Sequence, residues 1–145
     1  MFSISYLGNV MYKIGQLAKL EAISVEALRF YDQQGVLSPG HRAENGYRLY
    51  SEEDRKTLKF IQSAKNLGFT LAEIHELLDI KVDSRSHTCE EVKTIAEHKL
   101  QDIQERIRQL QRFETTLKKV VKTCCGGPES AEHCSILEAI EERVA

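Results

Sequence analysis

From Thr88 to Val121 the chain contains neither Pro nor Gly, and none follows until Gly126-Gly127-Pro128. This uninterrupted run limits the fold more than any other feature of the sequence. Thr88 followed by Glu91 is a capping-box start, in which each side chain satisfies a backbone N–H that a first helical turn leaves free. One long helix is therefore expected, and at about 1.5 Å per residue the roughly 35 residues from Cys89 to Cys124 span on the order of 50 Å. Ala96, Ile103, Leu110, Leu117 and Cys124 recur every seven residues, and Leu100, Ile107, Phe113, Val120 and Val121 widen that row into an apolar stripe. Charged and amide residues fill the other faces. Such a helix seeks a partner helix; packing on its own domain is the alternative. If it pairs antiparallel with its copy in a dimer, Cys89 of one chain arrives beside Cys124 and Cys125 of the other, a meeting that the rigid rod forbids within one chain.

With 145 residues and 41% hydrophobic content, the rest can form one modest globular domain and not two large ones. The net charge of -2 and pI near 6.2 give no global basic signature, so binding to nucleic acid must come from a local arrangement of Arg and Lys. Four cysteines without a secretory leader point to a reducing, cytoplasmic setting in which thiols are free for metal or redox work. No run approaches the roughly 20 apolar residues of a membrane span. Residues 1–10 are expected to be a disordered extension or an over-long start, with Met11 opening the organised chain.

The next stretch, YKIGQLAKLEAISVEALRFYDQQGVL, supports two short helices. Ile14, Leu17, Ala18 and Leu20 form the apolar face of the first; Ser24 caps the second, with Glu26 in its first turn. Leu28 is expected inward, Arg29 and Tyr31 outward, and Gly35 ends the helix. The pair fits a helix-turn-helix or an ordinary helical hairpin. Asn45-Gly46 favours a tight hairpin turn, giving a small two-stranded wing with Arg42 and Arg48 flanking its tip and Tyr47 between them. That cluster suits phosphate and sugar contacts. Ser51 with Asp54 and Thr70 with Glu73 open two further helices, one through Leu58, Ile61 and Ala64, the other through Ile74, Leu77 and Leu78, with Gly68 as the break. Lys56, Lys59 and Lys65 can extend a basic surface. Asp79 to His87 is a polar connector.

At the far end of the rod, Cys124, Cys125 and Cys134 with His133 surround one loop, a metal-site composition. A disulfide between the adjacent Cys124 and Cys125 would be strained. Ser135 with Glu138 is expected to cap a last helix, Ile136 to Glu142, that packs back over the loop through Ile136, Leu137 and Ile140. Cys89 lies in the first turn of the long helix, where the dipole and free N–H groups favour a thiolate. It is a fifth donor, supplied by the partner subunit. Five donors suggest a pair of zinc ions per site, and a single tetrahedral zinc with a donor spare is the simpler alternative.

RFYD, RAENGYRLYS and NLGFTLAEIHELL, followed by a long helix and a cysteine loop, resemble the MerR family of bacterial transcription regulators. HTCEEVK at the start of the rod and CCGGPESAEHCSILEAIE at its end are similar to the zinc-responsive ZntR branch of that family. The resemblance covers nearly all of Met11 to Glu142. It implies a mainly α fold: a winged helix-turn-helix DNA-binding domain (11–80), a connector (81–87), a long antiparallel coiled-coil dimerisation helix (88–123), and a metal-binding loop with a short terminal helix (124–145). It also implies DNA contacts by Arg29, Tyr31, Arg42, Tyr47 and Arg48, beside which Lys65 is a further candidate. One or two zinc ions at each of two sites per dimer follow in the same way, each bridged by Cys89 where there are two. The chain departs from the branch at Glu129, where its members carry a histidine ligand. His133 is the candidate substitute, Glu129 an additional candidate ligand and His87 an outer-shell donor.

The implied function is a homodimeric activator on promoter DNA that works with RNA polymerase and controls a zinc efflux pump gene. A MerR-type sensor of cadmium, lead or mercury is the alternative, and a zinc-carrying or thiol-redox protein without DNA binding is more remote. A copper(I) sensor needs only two soft donors, and an iron–sulfur sensor would want four cysteines in one loop. A drug-binding regulator of the family would carry a large C-terminal domain. An enzyme is not expected, because the donors invite a closed thiolate-rich shell and no general base or substrate cleft is evident.

Overall fold

The computed structural model describes residues 4–6 and 9–144. Two short strands, β1 (Ile4–Tyr6) and β2 (Asn9–Lys13), precede helices α1 (Ile14–Leu20) and α2 (Val25–Gln33). Strands β3 (His41–Arg42) and β4 (Arg48–Ser51), helices α3 (Glu52–Asn66) and α4 (Leu71–Val82), the long helix α5 (Cys89–Thr123) and a terminal helix α6 (Ser135–Val144) follow. The chain divides into two compact units, one ending at Ile95 and the other starting at Ala96.

In the first unit, α1 and α2 form the helix-turn-helix. Ser24 Oγ accepts from the Ala27 N–H at 3.1 Å, and Ala22, at φ 51°, makes the turn in the left-handed region. Capping boxes fix the starts of α3 and α4: the Ser51 and Thr70 N–H groups donate to Asp54 and Glu73 at 2.7 Å each, and the Asp54 and Glu73 N–H groups donate back to the hydroxyls at 3.1 and 3.3 Å. Gly68, at φ 90°, ends α3. Leu17, Leu28, Tyr50, Leu58, Ile61 and Ile74 are fully buried and join α1, α2, β4, α3 and α4 in one core. The turn of the helix-turn-helix is tied to α3 by Arg55, whose Nε donates to Glu21, and by Gln62, whose Nε2 donates to the Glu21 carbonyl at 3.0 Å.

Several expectations are corrected. The wing is not a lone hairpin: β4 pairs antiparallel with β3 on one side and with β2 on the other, in a four-stranded sheet ordered β1-β2-β4-β3. Tyr12 therefore lies in a strand, opposite Tyr50, and the first helix starts two residues later. Residues 1–10 are not a wholly disordered extension, since Ile4–Tyr6 and Asn9–Val10 pair as strands. The physical reason is the edge that β2 would otherwise leave unpaired, which β-branched and aromatic residues are suited to cover. The remainder of that expectation, at Met1–Ser3, Leu7 and Gly8, lies outside the described residues. The Asn-Gly turn is not a two-residue one. The Ala43 N–H donates to the Tyr47 carbonyl and the Gly46 N–H to the Ala43 carbonyl, at 2.9 and 2.8 Å. Gly46 alone of that loop has positive φ, at 80°, which is the three-residue loop with a glycine bulge.

The long helix has its expected start, with the Thr88 N–H donating to Glu91 and the Glu91 N–H to Thr88 Oγ1, both at 3.2 Å. In the second unit its stripe is uncovered: Leu100, Ile107, Leu110, Phe113 and Leu117 are about half exposed. The terminal helix starts at Ser135, and its expected packing over the loop is not realised by Leu137 and Ile140, which are half exposed.

Candidate functional site

At the end of α5 the chain turns sharply. Gly126 takes φ 66°, and its N–H donates to Cys124 Sγ at 3.4 Å. Residues Ala131–His133 form one turn of 3-10 helix, and Cys134 follows as the N-cap of α6, its carbonyl accepting the first helical bond from the Glu138 N–H at 3.0 Å. Ser135 is not the cap that spacing suggested; its Oγ instead donates to the Thr123 carbonyl at 3.0 Å and ties the start of α6 to the end of α5.

That placement has chemical consequences. The N–H groups of Leu137 and Ile136 converge on the Cys134 thiol and hold it below the usual thiol range, with a smaller contribution from a hydrogen bond to Cys124. The two sulfurs are thus already neighbours, and both residues are partly buried. Cys125, Cys89 and His133 are exposed. The Glu129 carboxylate folds back over Gly127, so closely that a methyl group there would collide with it. Among the described residues, no three His, Cys, Asp or Glu side chains converge as a metal cage.

The candidate DNA-facing residues divide in the same way. Arg29 and Phe30 are exposed on α2, Arg42 is exposed on β3, and Tyr47 is 61% exposed at the wing tip. Arg42 and Arg48 are direct cross-strand partners, a like-charge pair that needs a counter-charge. Asp32 of α2 supplies it, accepting from Arg48 Nε at 3.0 Å. Tyr31 departs from its expected outward orientation: it is 7% exposed and belongs to the core, and burial raises its pKa. Residues three and four apart share a helix face, so the turn that buries Leu28 buries Tyr31 as well. It forms part of an open groove of about 600 Å³ with Lys59, Gln62, Ser63, Lys65 and Asn66.

The family pattern described as MerR HTH family regulatory protein matches residues 12–81, and the one described as MerR, DNA binding, matches residues 55–120. The chain is 43% identical to the HTH-type transcriptional regulator ZntR of Escherichia coli strain K12 over 91% of its own length and 94% of that relative. It belongs to the MerR family. The mercuric resistance operon regulatory protein of Serratia marcescens is 42% identical over 77% of this chain and 75% of its own length. Among solved structures, the transcription regulator PbrR691 from Ralstonia metallidurans CH34 in complex with lead(II) superposes with TM-score 0.77 at 28% identity, covering 89% of this chain and 98% of that one.

Within this MerR-family frame, three features of the site escaped the sequence reading. The N-cap role of Cys134 was legible only through the helix boundary, which the Ser-x-x-Glu pattern pulled one residue too far. The Asp32–Arg48 pair joins residues 16 apart, and no local pattern marks such a contact. Tyr50, fully buried in β4, has a hydroxyl without a hydrogen-bond partner among the described residues.

Proposed function

We propose that this MerR-family chain is a zinc-responsive transcription activator that binds double-stranded promoter DNA as a homodimer and is not an enzyme. The observation that carries the reading is the Cys124–Cys134 pair, assembled where α5 meets the N-terminus of α6, in a chain whose 43% identical relative is ZntR. Cys134 is already biased toward the thiolate that binds metal, and Gly126 orients the Cys124 sulfur. Cys125 beside them and Cys89 of the partner subunit supply further thiolates, and Glu129 or His133 supplies the oxygen or nitrogen donor. Each of the two sites in the dimer takes one or two zinc ions. When bound, zinc supplies a positive centre that thiolates from two chains share, and this links the dimer's geometry to the signal.

The protein's own part is mechanical. The half-exposed stripe of α5 pairs with its copy, and each DNA-binding unit presents Arg29, Arg42, Tyr47, Arg48 and Lys65 to the phosphate backbone. Two such units held by one rod can bend and untwist the duplex between them, aligning promoter elements for RNA polymerase. The expected target is a zinc efflux pump gene, and the expected compartment is the cytoplasm; among the described residues, no helix is long and apolar enough to cross a membrane.

A second reading has an observation of its own. Two thiols are brought together while His133 stays exposed, which also suits a thiolate-selective sensor of mercury, lead or cadmium. In vitro transcription from the cognate promoter, with buffered zinc, cadmium, lead, mercury and copper(I), separates the two. Zinc-dependent activation that is lost in Cys89→Ser with DNA binding retained is the expected result. A preference for mercury or lead moves the protein to the second reading, and no response to any metal removes both.

A further inference from the structure

The bond between the recognition helix and the wing has a direction. Asp32 stands in the last turn of α2 and Arg48 opens β4, 16 residues on. Arg48 Nε donates to Asp32 Oδ2 at 3.0 Å, and the side chains are 32% and 17% exposed. A guanidinium carries N–H donors on every nitrogen in a single rigid plane. A bond through Nε therefore fixes that plane and leaves the donors of both Nη nitrogens for a second acceptor. Asp32 holds the inner edge of the guanidinium, and the outer fork is the part that grips a phosphate.

The surroundings favour an anion as that second acceptor. Arg42 lies directly across the ladder from Arg48 and is exposed, and Tyr47 beside Arg48 is 61% exposed. Arg29, exposed on α2, shares a helix face with Asp32. Two cross-strand arginines against one carboxylate leave a net positive charge. The carboxylate by itself repels DNA, so what it contributes there is the placing of Arg48. We propose that Asp32 is a positioning residue for the DNA interface: bonded to Nε, it holds the Nη groups of Arg48 ready for a backbone phosphate and keeps the wing arginine in register with the recognition helix. It touches no nucleic acid. An arginine fixed in advance loses less rotamer freedom when DNA binds. The proposal rests on the reading of Arg48 as a phosphate contact.

The test turns on sign. Removing a carboxylate from a DNA-facing surface raises affinity through charge alone, whereas removing the group that holds Arg48 lowers it. Binding is measured to a duplex selected from a random pool by the wild-type protein, at several salt concentrations, and corrected for the folded fraction of each variant. Asp32→Ala is expected to bind roughly three- to tenfold more weakly, the scale of freeing one rotamer-rich side chain. Asp32→Asn keeps an acceptor oxygen for Nε and is expected to lose less than Asp32→Ala, although both remove the same charge. In the Arg48→Ala background, Asp32→Ala is expected no longer to weaken binding, because nothing is left to position. The positioning role is overturned if Asp32→Ala binds as tightly as wild type or tighter, matches Asp32→Asn, or loses the same factor in both backgrounds. Arg48→Ala itself is expected to flatten the salt slope by about one phosphate contact. If it binds like wild type with an unchanged slope, the wing fails as a DNA element and takes the proposal with it, an outcome distinct from the others.

Discussion

A thiol that accepts backbone N–H groups at a helix start is a stronger acid than one in an unfolded chain, because those donors favour the charged form. Cys134 receives them from Leu137 and Ile136. In the metal-free protein, alkylation of Cys134 by iodoacetamide is expected to show a midpoint pH below that of the same thiol in urea, read by peptide mass spectrometry across a pH series. An equal or higher midpoint would mean that α6 does not begin at Cys134 in solution. The sign also fixes a stability effect: the folded pKa is depressed, so the contribution is present above the unfolded thiol range and is lost as pH falls through the folded value. At this scale the sequence is a good guide to residue type and a poor one to orientation. Helix starts in general favour a thiolate, which is the ground for Cys89; at Cys134 the N–H groups of Leu137 and Ile136 lower the thiol pKa. Tyr31 misleads because an aromatic ring with a polar tip fits a core rim as well as a surface, and only its place in the core cluster with Leu28, Leu58 and Ile61 settles which.

Capping pairs made the helical elements legible, since a Ser or Thr followed three residues on by an acid states its geometry locally. The pairs at Ser51, Thr70 and Thr88 all form. The sheet was less legible because strand partners are non-local: nothing near Met11–Lys13 announces its pairing with Leu49–Ser51. Two predictions belong to elements. Ala22 holds the left-handed turn of the helix-turn-helix at φ 51°, a conformation that costs an L-residue about 1 kcal/mol relative to glycine. Ala22→Gly is therefore expected to stabilise the protein by about 0.5–1 kcal/mol in urea unfolding, and a loss of stability would show that the methyl packs usefully. At the start of α5, the Glu91 carboxyl is held below its usual range, first by His87, whose Nδ1 is 2.7 Å away, and then by the Thr88 N–H. Its contribution is present above the unfolded carboxylate range and fades as pH falls through the folded value. Amide protection at residues 89–92, measured relative to the intrinsic exchange rate, should fall with acid in wild type, and Glu91→Gln should abolish that pH dependence.

The proposed dimer is a property of the whole molecule, and its basis is the seven-residue repeat, whose continuous apolar stripe seeks a partner helix. In this chain Leu100, Ile107, Leu110, Phe113 and Leu117 remain 49–58% exposed, while the opposite face is stitched by pairs such as Arg108–Glu105 at 2.8 Å. Lysines at Ile107 and Leu110 would place charges in the seam of a paired helix, and the 16.6 kDa chain is expected to sediment as a monomer. Removing one charge from the solvated face, as in Glu105→Gln, should leave the dimer intact. The consequence for metal follows without touching any ligand. If the proposed shared site holds, Cys89 of the partner subunit would no longer reach Cys124 and Cys134, and a lost thiolate costs more than the 10- to 100-fold typical of outer-shell changes. Zinc affinity by chelator competition is therefore expected to fall by more than about 100-fold in the monomeric variant, and that of Glu105→Gln to match wild type. A monomer that binds zinc as tightly as wild type would place all the ligands within one chain and end the shared-site reading. A variant that stays dimeric would show that the stripe is not the seam. Only a fall in zinc affinity that accompanies dissociation would tie the signal to the geometry of two chains, as the proposed mechanism requires of a metal ion that is to alter the DNA.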